Sequence, residues 1–321
     1  MTPVELSRTV LHAVRCAVDD GELTVTVPER AVVRVPGAGG FGDYATNIAL
    51  RLARPAGQPA VRVAEVLGRY LDRAEGVREV RVTGGGFINI RLDQGVGRDV
   101  VRRILGEGER YGCSREFEGQ VISLRVPHEV RAEAVADAVA RIVASQGGRV
   151  EVEHGEPVNL RPVPAPEDPA FLGADAALWA LLHPAPHDRP RITADHLVQR
   201  ESNPLFRVRY AHARTRALTR NAADLGFSAE PGSHADGSLT SLLADHPRVL
   251  TAAATHRAPD RLARHLVAVA DAVLPLLPTV LPRGAEKPLA AHRARLALAE
   301  AAGAVLAGGL ALLGIDAPDH L

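Results

Sequence analysis

Aromatic side chains are scarce in this chain, at 3% of 321 residues. Any core must therefore be built from Ala, Val and Leu, and a hydrophobic content of 46% supplies them. Lysine is almost missing as well: Lys287 is the only one, and Arg carries the rest of the basic charge. Two cysteines, Cys16 and Cys113, are too few for a disulfide framework or a thiolate metal site. Basic and acidic residues balance at 38 each. No global field draws in a polyanion, so nucleic-acid binding would rest on local patches. The opening MTPVELSRTV lacks an apolar core, so no secretory leader is expected. No uncharged run reaches about 18 residues, so no membrane span is expected either. The length suits two or three domains, and the expected location is the cytoplasm.

The hydrophobic spacing predicts an α+β fold. Val4–Val18 reads as an amphipathic helix. Two short β-branched segments follow, Leu23–Val27 and Ala31–Val35. A glycine-rich turn at Gly37–Gly42 leads to a helix from about Tyr44 to Ala53, and a second helix spans Val61–Leu71. Val77–Thr83 and Phe87–Leu92 flank Gly84–Gly86 as a hairpin. This α+β domain is expected to cover residues 1–112. The next expected domain, residues 113–200, holds one strand–helix–strand unit: Val121–Val126, Glu129–Ser145 and Arg149–Glu153. Proline-rich breaks at Pro157–Pro169 and Pro184–Pro190 flank a short helix at Ala174–Leu182. From Asn203 onward an all-helical bundle is expected, covering residues 201–321. Its last helix, about Leu289–Leu313, is closed by Gly314.

Several motifs carry a chemical suggestion. GAGGFG (Gly37–Gly42) satisfies G-x-G-x-x-G, but a second helix (Val61–Leu71) intervenes before the next strand and that strand ends in Thr83, not an acid. A glycine-rich loop without cofactor is the better reading. His128-Glu129 opens like a zinc-protease H-E-x-x-H, but Ala132 stands at the second histidine position. His183, His187, His196, His234, His246 and His256 are scattered and read as solvated. No cofactor and no metal are expected. The strongest feature is NPLFRVRYAHAR (203–214), an N-capped helix in which Arg207, Tyr210 and Arg214 share one face. Arg209, Arg216 and Arg220 form a stripe beside it, and such charge around a Tyr suits a phosphate-rich partner.

That segment resembles the start of the DALR anticodon-binding domain of arginyl-tRNA synthetases. The similarity continues through RLARHLVAVADAV and RARLALAEAAGAVLAGGLALLGIDAP. GDYATNIALRLA (Gly42–Ala53) and GGGFINIRL (Gly84–Leu92) resemble the additional N-terminal domain of the same enzymes. The resemblance implies a domain that touches the tRNA elbow, with Phe87, Asn89, Asp43 and Tyr44 as candidate contacts. It also implies a bundle that grips the anticodon arm, with Arg207, Tyr210, His212 and Arg214 as candidates there. An aromatic face stacks on an unpaired base and an amide reads its edge.

The middle of the chain departs from that family. A large nucleotide-fold catalytic domain should separate the two tRNA-facing domains, but about 80 residues (Gln120–Gln199) stand there. The junction that should carry the ATP-gripping HIGH motif reads LRVPHEVRAEAVADA, retaining only His128, and no KMSK-like loop is present. FLGADAALWALL (Phe171–Leu182) resembles the family's segment just after the KMSK loop, so the shortening reads as internal. Val273, Pro275, Leu276 and Leu277 replace the family's aromatics in the later helix, and Arg207 stands where another aromatic is usual. The expectation is a remnant catalytic segment in a pseudoenzyme: not an aminoacylating enzyme, but a binder of tRNA, tRNA-Arg among the candidates. The alternatives are an adaptor or regulatory subunit that docks on a protein partner, and an enzyme using charged tRNA, for which His128 and Glu129 would be the reactive pair.

Overall fold

Thr2 and Glu5 start the first helix, α1 (Pro3–Asp19), with a reciprocal capping box. The Thr2 hydroxyl accepts from the Glu5 N–H at 3.3 Å, and the Glu5 carboxylate accepts from the Thr2 N–H at 2.7 Å. The computed structural model describes residues 1–36, 41–232 and 237–321 and divides into two units, Met1–Val100 and Val101–Leu321.

In the first unit β1 (Val33–Arg34), β2 (Tyr44–Thr46), β3 (Val77–Thr83) and β4 (Phe87–Leu92) form one antiparallel sheet in the order β1-β2-β4-β3. Helices α2 (Ile48–Ala56) and α3 (Ala60–Leu71) join α1 around the core. Ile88 and Ile90 of β4 are fully buried with Leu6, Val10, Val14, Ile48 and Leu67. Each such side chain contributes roughly 1.5–3 kcal/mol.

Three expectations change here. The helix expected from Tyr44 begins only at Ile48, because residues 44–46 pair with Ile90, Asn89 and Ile88 of β4. Leu23–Val27 is irregular, and of Ala31–Val35 only Val33–Arg34 is strand. Most of the glycine-rich turn (37–40) lies outside the described residues. Its last member, Gly42, has φ +84°, and a Cβ there would stand 2.7 Å from the Ile90 carbonyl oxygen. Only Gly fits so close to a strand.

Helix α4 (Gln94–Glu107) leads into the second unit. There β5 (Val121–Val126) and β6 (Arg149–His154) run parallel, with α5 (Val130–Ser145) between them, in a register from Val121 opposite Arg149 to Val126 opposite His154. After the irregular proline-rich segment comes α6 (Ala174–Leu182). The bundle follows: α7 (Pro204–Asp224), α8 (Gly237–His256), α9 (Asp260–Val273) and α10 (Ala290–Leu313). Arg141 of α5 donates to the Leu312 and Leu313 carbonyls at 3.0 and 3.1 Å. Residues 113–200, expected as a separate domain, thus belong to the same unit as the bundle.

Helix α10 is buried nearly all round. A Cβ on Gly309 would fall 2.4 Å from a Leu266 methyl, so this glycine lets α9 and α10 approach closely. By length and composition alone, α10 and the stretch Asp260–Thr279 would each reach across a bilayer. For α10 the helix's packing accounts for the apolarity, since 78% of that window is buried inside the bundle.

Candidate nucleic-acid interface

In the first unit, β4 alternates between core and surface. Ile88 and Ile90 face inward, and Phe87, Asn89 and Arg91 lie on the other face. Phe87 is 44% exposed. Asn89 is buried, and its amide donates to the Thr83 hydroxyl at 2.6 Å. The guanidinium carbons of Arg81 and Arg91 stand 3.8 and 4.2 Å from the centre of the Phe41 ring, a cation–π arrangement. Both arginines also donate to Glu79, at 2.7 and 3.1 Å. Asp43 accepts from the Leu92 N–H at 2.8 Å, closing the loop before β2. Tyr44 is opposite Ile90 and therefore points into the core. Of the four elbow candidates, only Phe87 presents its side chain broadly to solvent. Tyr44 and Asn89 do not, since strand pairing turns the first inward and a side-chain hydrogen bond holds the second down.

In the second unit, Asn203 fixes the start of α7. Its side-chain oxygen accepts from the Leu205 and Phe206 N–H groups, and its amide donates to the His196 and Val198 carbonyls at 2.9 Å. The arginine stripes expected to be free are largely engaged. Arg207 pairs with Asp271 of α9 at 2.9 Å and donates to the Glu201 carbonyl. Arg209 pairs with Asp175 and donates to the Asp316 carbonyl. Arg216 pairs with Asp319 at 3.0 Å, and Arg220 donates to the Asp319 carbonyl. His212 is buried against the Pro318 carbonyl, and burial holds its pKa below the usual imidazole range. Two of the four anticodon candidates remain outward: Tyr210, 39% exposed and stacked on Phe206, and Arg214, which is exposed.

At the ends of β5 and β6 the pair His128 and Glu129 separates. The Glu129 carboxylate caps α5, accepting from the Ala132 and Ala165 N–H groups at 2.9 and 3.1 Å. That carboxylate is committed to structure, whereas His128 is exposed and stacked on His154. The histidines read as solvated also divide. His246 is buried, His183 is partly so, and His234 lies outside the described residues.

Residues 208–321 match the model of the DALR anticodon binding domain, and residues 7–92 match that of the arginyl tRNA synthetase N terminal domain. The chain is arginyl-tRNA synthetase-like. Among curated relatives, the arginine–tRNA ligase of Renibacterium salmoninarum is 39% identical over 168 residues, which is 48% of this chain and 30% of the ligase. That of Frankia alni is 35% identical over 164 residues, with the same shares. The chain thus spans about a third of the length of these relatives. In fold it is similar to the arginyl-tRNA synthetase of Thermus thermophilus, at 15% identity and a TM-score of 0.72 covering 100% of both chains. The enzyme of Plasmodium falciparum gives 0.71 at 9% identity, covering 99% of both.

The relatives' name overturns one expectation. They are called arginine–tRNA ligases, which are enzymes, so the reading of this arginyl-tRNA synthetase-like chain as a non-enzyme does not stand. Sequence reasoning also missed a group at the carboxyl ends of β5 and β6, where His128, Glu133 and His154 meet. The signal was available: a residue just after one strand, one at the end of its parallel partner, and one in the first turn of the connecting helix converge at one edge.

Proposed function

We propose that this arginyl-tRNA synthetase-like chain binds tRNA. The Phe87 face of the first unit would take the elbow, and the Tyr210–Arg214 surface of α7 the anticodon arm. The observation that carries the reading is Phe87: a large aromatic held out from the sheet face that also carries Arg81 and Arg91. Such a face stacks on an unpaired base, while guanidinium groups nearby meet phosphates. Because the Asn89 amide is occupied by Thr83, stacking carries more of the contact than edge reading does. A tRNA partner would be met in the cytoplasm, and tRNA-Arg is the first species to test.

In a filter-binding titration with total tRNA, affinity should fall at least about tenfold between 50 and 200 mM salt, as expected for release of two or more counterions. Phe87→Ala should weaken binding about fivefold or more, matching the lower end of base–aromatic stacking. No complex at 50 mM salt would overturn the proposal.

A second reading, docking on a protein partner, is favoured by the pairing of Arg207, Arg209 and Arg216 with carboxylates of this same chain. A stoichiometric protein that co-purifies after nuclease treatment, with no retained tRNA, would select it.

A further inference from the structure

We infer that His128, Glu133 and His154 form a binding site for a divalent transition-metal ion, zinc being the best match. One ligand atom from each residue lies within 4.8 Å of the other two. The His154 Nε2 stands 3.3 Å from a Glu133 carboxylate oxygen. The rings of His128 and His154 lie face to face, 4.2 Å apart at their centres and 2° from parallel.

Each residue stands on a firmly placed stretch of backbone. His154 closes β6, opposite Val126 in the parallel register, and His128 follows β5 by two residues. Glu133 sits in the first turn of α5, whose start is fixed by the Glu129 cap. Backbone positions therefore hold the three groups at one edge, and only side-chain torsions remain to be set.

Two imidazoles and a carboxylate are a borderline donor set of the kind zinc takes in open sites, with a water in the fourth position. With bonds of 2.0–2.2 Å, tetrahedral ligands stand about 3.3 Å apart. The three donors need to close by up to about 1.5 Å, and exposed side chains can do so by rotation. The planes of the parallel rings do not meet, so the imidazoles turn out of the stack to aim a nitrogen each at one cation, a rotation that their exposure allows. The alternative, a simple His154–Glu133 ion pair, engages neither His128 nor a third donor. Exposure of all three residues leaves the site open to water or an anionic ligand.

The test uses full-length, tag-free protein stripped with a chelator and titrated with Zn²⁺ by calorimetry. One ion per chain is expected, with Kd at or below about 1 μM. His128→Asn, Glu133→Gln and His154→Asn, all surface changes, should each weaken it at least tenfold. Co²⁺ substitution reads geometry: a tetrahedral visible spectrum is expected from the wild type and should be lost in each variant. No stoichiometric ion, or binding that survives all three substitutions, would overturn the site. So would a Co²⁺ thiolate band, because it would place the ion at the His12 and Cys16 pair of α1 instead.

Discussion

Arg131→Met should destabilise the second unit by about 3–5 kcal/mol, the loss expected when a buried charged network is broken. Arg131 lies on α5 and is 1% exposed. Its Nε donates to the Leu181 carbonyl at 3.0 Å. One terminal nitrogen donates to Val163 and Asp188 at 2.7 and 2.8 Å, and the other to Pro184 and Ala185 at 3.0 and 2.9 Å. All five guanidinium hydrogens are used, four on carbonyls of the proline-rich segments that flank α6 and one on Leu181 in its last turn. Those segments have no ladder of their own, so the side chain replaces secondary structure as their organiser. Burial pushes the Arg131 pKa down, but an Arg side chain stays protonated in proteins. Methionine would fill much of the space yet leave four of the five carbonyls without donors, since that of Ala185 also accepts from the Asp188 N–H. Lysine, with three donors and no fork, should recover only part of the loss. Trp179, the only Trp, is buried on α6 beside these loops and gives a local fluorescence signal. Urea melts followed at that signal measure the effect; a Met variant within about 1 kcal/mol of wild type would refute the assignment.

The second large effect is acid sensitivity between pH 6.5 and 5. His246 and His265 are buried against each other, with ring centres 5.2 Å apart. His246 Nδ1 and His265 Nε2 have no hydrogen-bond partner among the described residues. Burial lowers His265 to about 4 and His246 well below its ordinary value. His183, stacked on Trp179, is likewise lowered to about 4 by burial. These rings are neutral in the fold and take up protons once unfolded, so the unfolded state binds more protons below about 6.5. Stability is therefore full above that pH and is lost as pH falls toward 4. For His265 alone the loss at pH 5 is about 2 kcal/mol. Asp260 and Glu300, raised by burial, act in the opposite sense near the carboxylate range. The histidine effect is best read above pH 5 for that reason. Thermal melts at pH 7.5 and 5.0 should show a large drop in Tm, and His265→Gln should reduce that drop. An equal drop in wild type and variant would show that His265 is not a source.

Local pattern carried much of the architecture. The hairpin of β3 and β4 could be read to the residue because β-branched runs flank a glycine triplet. The strand–helix–strand unit and α6 were read almost as closely. The failures depended on distant partners. Tyr44–Thr46 looks helical beside Ile48–Ala56, and only pairing with β4, more than forty residues away, makes it a strand. The arginines of α7 announce a basic face, and nothing near them in sequence reveals Asp175, Asp271 or Asp319 as their partners. His246 and His265 carry no local sign of burial, because burial arises from the packing of α8 and α9.

The segment after α10 gives the α7 surface a particular electrostatic character. The Asp319 carboxylate pairs with Arg216, the Asp316 and Asp319 carbonyls accept from Arg209 and Arg220, and Asp175 of α6 pairs with Arg209, so Arg209 and Arg216 carry tethered counterions from their own chain. A tethered anion is not diluted away when salt is lowered, and displacing it releases nothing to bulk solution. A polyanion meeting this flank would therefore gain little from counterion release and would have to win by exchange, phosphate for carboxylate. Salt dependence would then count the cations that are not already partnered, Arg214 first among them, and not the arginines visible in the sequence.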